Sequence, residues 1–332
     1  MKRNFSESII MLFSVCAFLS FCLILPNNYP DYFKHLTTKT KITIEQGMSA
    51  KDAAAVIRSA GLVRSQSLLI KAMSELGIDR TLKPGTYTLT PGPETNVARQ
   101  LLQAKPEYEV VTIVPGTRYR ALSARFISKD VDVFAKELSN KENFPEELRA
   151  LLPEDSRDRI AFLLPETYNL APGRNLAKEL IKSASHHWML KLSDKLSSDI
   201  TAKKLVNIAT LASLIENEAK VPEERPILAG IFLKRIEKRM RLQSCATVVY
   251  CWEERGIKKQ HLTYNDLKVE SPYNTYLNGG LPPGPISVPS ISSWESALKP
   301  QYTDYLFFFA AEDGHHLFSK TYAEHVRKQK KP

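Results

Sequence analysis

The sequence predicts an α+β fold preceded by an N-terminal transmembrane helix. Two observations indicate this: an uncharged apolar run near the N-terminus, and short strand-like segments that alternate with amphipathic helices further along the chain. With 332 residues, the chain is long enough for more than one module. Its 43% hydrophobic and 25% charged residues are ordinary for a globular protein and indicate neither a disordered chain nor a repeat protein.

The apolar run extends from Ile9 to Leu25 and contains 17 residues without a charge. This is close to the lower limit of about 17–25 residues for a spanning helix. Lys2 and Arg3 precede the run, which places the tail at residues 1–8 in the cytoplasm. A cleaved signal peptide is the main alternative, but the small-residue cleavage site is missing where the run ends at Pro26. We therefore expect a single-pass protein of the inner (cytoplasmic) membrane, whose remaining chain is periplasmic or otherwise extracytoplasmic.

The exported part divides into a linker and two modules. Residues 26–40 are polar and contain proline, as linkers do. Residues 41–105 show a strand–helix–helix–strand pattern, in which Ser49 is placed to cap the first helix. The expected elements are a strand at Lys41–Ile44, helices at Ala50–Ala60 and about Ser67–Leu76, a strand at Thr86–Thr90 and a helix at about Asn96–Ala104. Residues 106–332 form the second module, with strong helices at Ala202–Lys220 and Pro222–Lys238.

The net charge of the chain indicates which classes of partner to expect. A net charge of +10 favours anionic partners, which include nucleic acid, lipid head groups and acidic cell-wall polymers. The sequence has no Gly-rich phosphate loop, zinc-finger spacing or aromatic RNA-binding signature, so nucleic acid is not expected. His315, His316 and His325 invite a metal interpretation, but no nearby cysteine or carboxylate completes a ligand set. We expect neither a metal nor a cofactor.

Cys245 and Cys251 lie six residues apart in the second module. A disulfide between them is compatible with an oxidising compartment, but sequence spacing does not establish the required geometry. Two small, partly buried thiols are the alternative. The sequence leaves both open.

The segment Lys203–Lys220 carries the strongest chemical signal. At helical spacing it has one apolar face, formed by Ile208, Leu211, Ala212, Ile215 and Ala219. Two carboxylates, Glu216 and Glu218, interrupt it and project to nearly opposite sides, with Glu218 in the bulkier apolar surroundings. Desolvation there would raise the pKa of Glu218, as a general acid for glycosidic bond cleavage requires. The alternative is a solvated or ion-paired glutamate at a helix edge.

The neighbouring motifs carry a family resemblance. They are LASLIENEA at 211–219, MRLQ at 240–243, TVVY at 247–250, SPYNTY at 271–276 and GLPPGPI at 280–286. In this order they resemble the endolytic murein transglycosylase family, also called YceG-like, and the resemblance extends over about residues 41–327. The chain differs from the family pattern at three places. Ser244-Cys245-Ala246 stands where members often carry Asp-Pro after the Leu-Gln, Lys234 replaces a frequent Asn before Arg235, and Val326 replaces an Asn after His325.

The resemblance implies a LysM-like subdomain at residues 41–105 and a catalytic domain at 106–332. It implies a lyase in which Glu218, the second glutamate of the Glu-x-Glu motif, cleaves the bond between N-acetylmuramic acid and N-acetylglucosamine to give 1,6-anhydro ends. The partners would be nascent peptidoglycan strands, the inner membrane, cell-wall synthases (penicillin-binding proteins) and the elongation and division machinery. A non-catalytic glycan-binding scaffold and a muramidase are the alternatives.

Five further residues of these motifs are candidates for substrate binding. They are Gln243, Thr247, Tyr250, Asn274 and Tyr276. Each could donate a hydrogen bond to an acetamido group of the glycan or position Glu218. Packed aromatics and turn residues are the alternative interpretation of the same side chains.

Overall fold

The computed structural model describes residues 38–45, 47–128, 131–172 and 175–330. Over these residues helices and short strands are mixed, and the strands form two-stranded sheets. The chain divides into two compact units. Unit 1 comprises the described residues up to Glu109 together with Asn169–Pro172, and unit 2 comprises Val110–Tyr168 and residues 175–330.

The predicted fold class requires a correction. Within the described ranges, no helix is long and apolar enough to cross a membrane. The two longest, Leu176–Leu192 and Ala202–Glu218, have 17 residues each, and both carry charged side chains. The described chain is therefore a mixed α and β fold without a membrane-spanning helix. The predicted span at residues 9–25 lies outside the described residues.

Unit 1 is built from two strands and three helices. In chain order these are β1 (Thr40–Ile44), α1 (Ala50–Ser59), α2 (Gln66–Glu75), β2 (Gly85–Leu89) and α3 (Glu94–Gln103). Strand β1 runs antiparallel to β2, with Thr40 opposite Leu89 and Ile44 opposite Gly85. The predicted order of strands and helices is thus found. The domain boundary predicted after residue 105 and the LysM-like assignment stay predictions.

Two of the three helices of unit 1 begin at a serine that caps them, Ser49 for α1 and Ser65 for α2. Ser49 accepts a hydrogen bond from the backbone of Asp52 at 3.2 Å, and the Asp52 carboxylate accepts one from the Ser49 backbone at 3.1 Å. This capping box confirms the predicted start of α1. The apolar faces of the helices and strands meet in one core, which contains Ile42, Ile44, Ile57, Leu69, Met73, Tyr87, Leu89, Val97 and Leu101.

Unit 2 contains the remaining elements. The strands are β3 (Glu109–Thr112), whose first residue belongs to unit 1, β4 (Ile127–Ser128), β5 (Val131–Asp132), β6 (Thr167–Leu170), whose last two residues belong to unit 1, β7 (Phe307–Ala310) and β8 (His316–Ser319). The helices are α4 (Tyr119–Ser123), α5 (Val133–Ser139), α6 (Glu146–Arg149), α7 (Leu176–Leu192), α8 (Ala202–Glu218), α9 (Arg225–Glu237), α10 (Cys245–Glu254), α11 (Ile291–Leu298) and α12 (Tyr322–Gln329). The sheet pairs are β3–β6, β4–β5 and β7–β8.

Helix α8 lies at the centre of unit 2. It begins at the cap Thr201 and packs against α9, α10 and α11. The sequence predicts one apolar face, but every residue from Ala209 to Ile215 is buried, including Thr210 and Ser213. The helix is enclosed over this stretch because its neighbours cover it from several sides. Its C-terminal residues are thereby held in a fixed position.

Helix α9 packs closely enough to require a glycine. A Cβ atom added at Gly230 would lie 2.0 Å from the backbone oxygen of Gln301. The segment at Gln301 is itself tied to α9, since its backbone N–H donates to the carbonyl of Pro226 at 3.0 Å. Because the nearest atoms are those of the Gln301 backbone, no flexible side chain can move aside to make room for a Cβ.

We predict that Gly230→Ala destabilises the protein by about 2–3 kcal/mol, because the added methyl group must push two backbone segments apart. In an unobstructed helix the same change would stabilise by up to about 1 kcal/mol, so the sign is informative. Urea unfolding measures the difference. Gly279→Ala is the control, since a Cβ there meets no atom within 4 Å. Equal stability of both variants would contradict the packing.

Candidate active site

Glu218 is the last residue of α8, where the chain leaves the helix in an extended conformation at Ala219. The residue is half-buried, but its carboxyl group lies among protein atoms. Loss of hydration is the largest effect and raises the pKa of Glu218 above its ordinary value. The hydroxyl of Ser244, the charge of His316 and the backbone N–H of Ala246 act in the opposite direction, each to a smaller extent. Glu218 therefore keeps its proton to a higher pH than an exposed glutamate, as a general acid must.

Ser244 contacts Glu218 directly, because its hydroxyl donates a hydrogen bond to Oε1 of the carboxyl group. The backbone N–H of Ser244 donates to Thr275 Oγ1 at 3.0 Å, and its carbonyl accepts from Thr247 Oγ1 at 2.7 Å. The preceding residue, Gln243, has a φ of 50°, which is costly for a residue with a side chain. The turn that positions Ser244 is thus strained, and hydrogen bonds to Thr275 and Thr247 hold it in place.

Glu216 has a different environment. Its Oε2 accepts hydrogen bonds from the backbone and hydroxyl of Ser290, at 2.8 and 2.5 Å, and from the hydroxyl of Ser293 at 2.8 Å. Its Oε1 lies 3.3 Å from Nη2 of Arg225, and the side chain is only 7% exposed. Since Ser290 caps α11, this carboxylate ties α11 to α8. Of the two carboxylates, Glu216 therefore has a structural role, because all of its described partners belong to the fold.

Tyr276 lies near Glu218, and Gln243 is the neighbour in the chain of Ser244, which contacts Glu218. Gln243 is exposed and directly precedes Ser244. Tyr276 is half-buried, and its hydroxyl lies 3.2 Å from the thiol of Cys245. Burial raises the pKa of Tyr276, and the nearby thiol and the charge of Glu218 raise it further.

Thr247 and Asn274 are fully buried, and their polar atoms are engaged within the protein. Asn274 donates to the carbonyls of Leu267 and Val269, at 2.9 and 2.8 Å, and accepts from the backbone of Tyr276 at 2.9 Å. Thr247 holds the turn before α10, as described above. Both side chains are therefore placed to position the residues around Glu218. Their contact with acetamido groups stays a prediction.

Tyr250 belongs to an aromatic cluster. Its ring lies 4.8 Å from that of Tyr273, and the guanidinium of Arg118 lies 5.7 Å from its centre. Burial raises its pKa, so the hydroxyl stays protonated. This is the packed-aromatic arrangement that the sequence left open as the alternative, and a contact with substrate stays a prediction.

Asp158 is a second carboxyl group with perturbed titration. Burial and the charge of Asp155 raise its pKa to about 7. Its carboxyl group packs against Gly284, where an added Cβ would lie 2.2 Å from Oδ2. The proline-rich loop at 281–285 is thus seated directly on Asp158.

Sequence reasoning missed three charged side chains of the site. Arg235 is buried, donates to the carbonyls of Leu306 and Leu242 and places its charge near Glu218. His316 is also close to Glu218, and its Nδ1 lies 2.7 Å from a carboxylate oxygen of Glu224. Arg235 is one of several charged residues of α9, and the sequence does not single it out. The pair of Glu224 and His316, 92 residues apart, has no local signal.

Cys245 and Cys251 are both free, the first exposed and the second buried. They lie on the same helix, α10, at positions that point to different sides. The structure therefore supports the interpretation as two separate thiols and not the disulfide.

Comparison with known proteins agrees with this geometry. Residues 42–331 match the model of the YceG-like family. The chain belongs to the YceG-like family. A Bacillus subtilis protein named endolytic murein transglycosylase is 29% identical over 317 residues, which cover 90% of this chain and 86% of the relative. A Streptococcus pneumoniae protein of the same name is 29% identical over 270 residues, and the match covers 78% of this chain but only 47% of that longer relative.

A solved structure supports the YceG-like fold. The crystal structure of a YceG-like protein from Listeria monocytogenes has a TM-score of 0.54 and 30% sequence identity. The match covers 88% of this chain and all of the Listeria chain. The family membership that the motifs indicated is thus confirmed.

We predict that Glu216→Gln lowers the free energy of unfolding of this YceG-like protein by about 2–4 kcal/mol, because it leaves Arg225 without its buried partner. Glu218→Gln should be neutral or stabilising near pH 7. Folding raises the pKa of Glu218, so its ionisation costs stability as the pH rises, and glutamine removes that cost. Urea unfolding of both variants tests the contrast. Equal losses would show that Glu218 is also a structural residue.

We predict that Ser244→Ala raises the pKa of Glu218 further, because the lost hydroxyl stabilises the charged carboxylate. Titration of the side-chain carboxyl carbon by NMR measures this. Ser293→Ala is the matched control, since that hydroxyl donates to Glu216 instead. A Glu218 pKa that stays the same in Ser244→Ala would mean that the hydrogen bond does not favour the charged form.

Proposed function

We propose that this YceG-like chain is an endolytic lytic transglycosylase of peptidoglycan and that Glu218 is its acid and base. The observation that carries the proposal is the enclosed carboxyl group of Glu218, which has a raised pKa and a hydroxyl donor on one oxygen. The family and the names of the curated relatives supply the reaction class. Glu216, the other carboxylate of the motif, is occupied by the fold.

The first half of the reaction uses the protonated form. Glu218 donates its proton to the oxygen of the β-1,4 bond between N-acetylmuramic acid and N-acetylglucosamine. The bond from C1 of the muramoyl ring to that oxygen breaks, and the N-acetylglucosamine side leaves as an alcohol. The raised pKa matters here, because only a carboxyl group that is protonated near neutral pH can donate.

The second half uses the carboxylate. Glu218 takes the proton of the C6 hydroxyl of the same muramoyl ring, and the C6 oxygen forms a bond to C1. The product is a 1,6-anhydromuramoyl end, the proton is back on Glu218, and no water is consumed. Because nucleophile and electrophile belong to one ring, their effective concentration is high and a second catalytic carboxylate is not required.

The surroundings of Glu218 suit both halves. Burial favours the protonated form that starts the reaction. The Ser244 hydroxyl, the Ala246 N–H and the cations His316 and Arg235 favour the carboxylate that follows. Burial is the larger of these effects, so the net result is a raised pKa of Glu218.

The substrate is proposed to lie across the exposed Gln243, which precedes Ser244 in the chain, and Tyr276, which lies near Glu218. Thr247 and Asn274 hold the turns that carry Gln243 and Tyr276, and the ring of Tyr250 packs against that of Tyr273.

We further propose that the substrate is a nascent strand, cut at the outer face of the cytoplasmic membrane beside the cell-wall synthases. The cut would end the elongation of that strand. The net charge of +10 suits the anionic surfaces found there.

We predict that Glu218→Gln lowers the release of anhydro ends from purified nascent glycan at least about 100-fold, since glutamine cannot transfer the proton. Mass analysis of the fragment termini is the measurement. Glu237→Gln, an exposed change on α9, is the control. Reducing ends from the wild-type protein would identify a hydrolase, and intact glycan would identify a binding scaffold. In cells, Glu218→Gln should lengthen the glycan strands.

A further inference from the structure

Arg235 joins three segments of unit 2 through one side chain. It lies on α9 and is 7% exposed. Its Nε donates a hydrogen bond to the carbonyl of Leu306 at 2.7 Å, and its Nη1 donates to the carbonyl of Leu242 at 2.5 Å. Leu306 directly precedes β7, and its backbone N–H donates to the carbonyl of Ser319 in β8 at 3.0 Å. The guanidinium therefore links α9 and the β7–β8 sheet to the segment at Leu242.

Aromatic rings further restrict the guanidinium. Its Cζ lies 5.8 Å from the centre of the Phe307 ring and 5.6 Å from that of the Phe308 ring. A guanidinium can donate from several N–H groups while it contacts aromatic rings, whereas a lysine ammonium has a single donor atom. The contacts of Arg235 thus use properties that are specific to arginine.

Leu242 begins the turn that positions Ser244. Its side chain is fully buried, and Gln243 follows with a φ of 50°. The backbone N–H of Gln243 donates to the carbonyl of Thr275 at 3.2 Å. A residue in this conformation keeps it only where the surrounding structure holds it. The guanidinium holds the residue before Gln243, and Thr275 holds Gln243 and Ser244, so the strained turn has a separate support at each end.

We propose that Arg235 is a positioning residue, which keeps the Ser244 hydroxyl on Glu218 by holding the carbonyl of Leu242. This inference rests on the proposed function. The path runs from the guanidinium to Leu242, along the chain to Ser244, and from the Ser244 hydroxyl to Oε1 of Glu218. Without the support at Leu242, the strained turn can relax and the hydroxyl can leave the carboxyl group.

Glu218 has other neighbours that do not depend on this path. They are the Ala246 N–H of α10, the charge of His316 in β8 and the Tyr276 hydroxyl. Arg235 also carries a charge that favours the carboxylate form of Glu218. A test of the positioning role must therefore keep that charge and change only the hydrogen bonds.

Arg159 provides a matched control within the same unit. It is 4% exposed, and its Nε and Nη1 donate to the carbonyls of Pro153 and Leu138, each at 3.1 Å. Like Arg235, it is a buried arginine that donates to backbone carbonyls, but these partners lie outside the turn at 242–244. Its replacement reports the general effect of losing such hydrogen bonds.

The decisive variant is Arg235→Lys, which keeps the positive charge but cannot reproduce both hydrogen bonds of the planar guanidinium. We expect kcat to fall by about fivefold, as in Ser244→Ala, because both variants remove the same hydrogen bond to Glu218. The basic limb of kcat/KM should move to higher pH in both, since loss of the hydroxyl raises the pKa of Glu218 further. The double variant should show no further loss, because the two changes act on one contact. Arg159→Lys should change neither kcat nor the basic limb.

Two results would overturn the proposal. One is an Arg235→Lys pH profile that coincides with that of Arg159→Lys, which would leave Arg235 with a structural role only. The other is a double variant in which the losses of Arg235→Lys and Ser244→Ala multiply, because the two residues would then act independently.

A second measurement does not depend on the folding of Arg235→Lys. Coupling between two interactions is reciprocal, so the loss of the Ser244 hydroxyl should also loosen the hydrogen bonds of Arg235. We expect the Nε–H of Arg235 to exchange with solvent at least about threefold faster in Ser244→Ala than in the wild-type protein, as measured by NMR. The Nε–H of Arg159 is the internal control. Equal exchange of the Arg235 Nε–H in both proteins would contradict the coupling.

Failure of the proposed function has a different signature. If the wild-type protein releases no anhydro ends, the reaction assignment fails, whatever the exchange rates are. If it does release them and Glu218→Gln does not, but Arg235→Lys behaves like Arg159→Lys, only the role of Arg235 fails.

Discussion

The central constraint in unit 2 is the cost of removing the Glu218 carboxyl group from water. That loss of hydration raises its pKa and favours the protonated acid over the carboxylate. The protein counters it with a hydroxyl, a backbone N–H and two cations. These donors and charges come from α10, α9 and β8, so the site exists only when those elements pack together around the end of α8.

Helix α8 separates structural and chemical functions over two residues. Glu216 and Glu218 project to different sides of the helix, and each meets a different set of partners. Glu216 holds the start of α11 through Ser290 and Ser293, which anchors the helix. This leaves Glu218 free of structural ion pairs, while the enclosed stretch before it limits its movement. A rigid helix with one anchored and one available carboxylate is a suitable support for acid–base chemistry.

The segment that departs from the family pattern is part of the site. Ser244 supplies the hydroxyl that contacts Glu218, and Cys245 lies against the Tyr276 hydroxyl. The relatives are only 29–30% identical, so variation around a common fold is expected. In this chain the difference falls on residues that touch the reactive carboxyl group or its neighbour.

The sequence by itself determined the local structure and the family, whereas the catalytic role of Glu218 stays a prediction. Periodicity predicts α8 nearly to its ends, Ser49 predicts the start of α1, and the motifs around Glu218 predict the family. These predictions succeed because helical spacing, capping and motif order depend on residues that are close together in the chain. The transmembrane helix was predicted from the composition of residues 9–25, and no described helix meets the requirement for one.

Only the tertiary structure decided what surrounds Glu218. Ser244 is 26 residues away along the chain, and the contact of His316 with Glu224 joins residues 92 apart. Tertiary packing also separated the candidate binding residues, with Gln243 and Tyr276 beside the site and Thr247 and Asn274 buried beneath it. The physical reason is that desolvation and charge act through space. They depend on which distant segments enclose a group, and local sequence patterns do not contain that information.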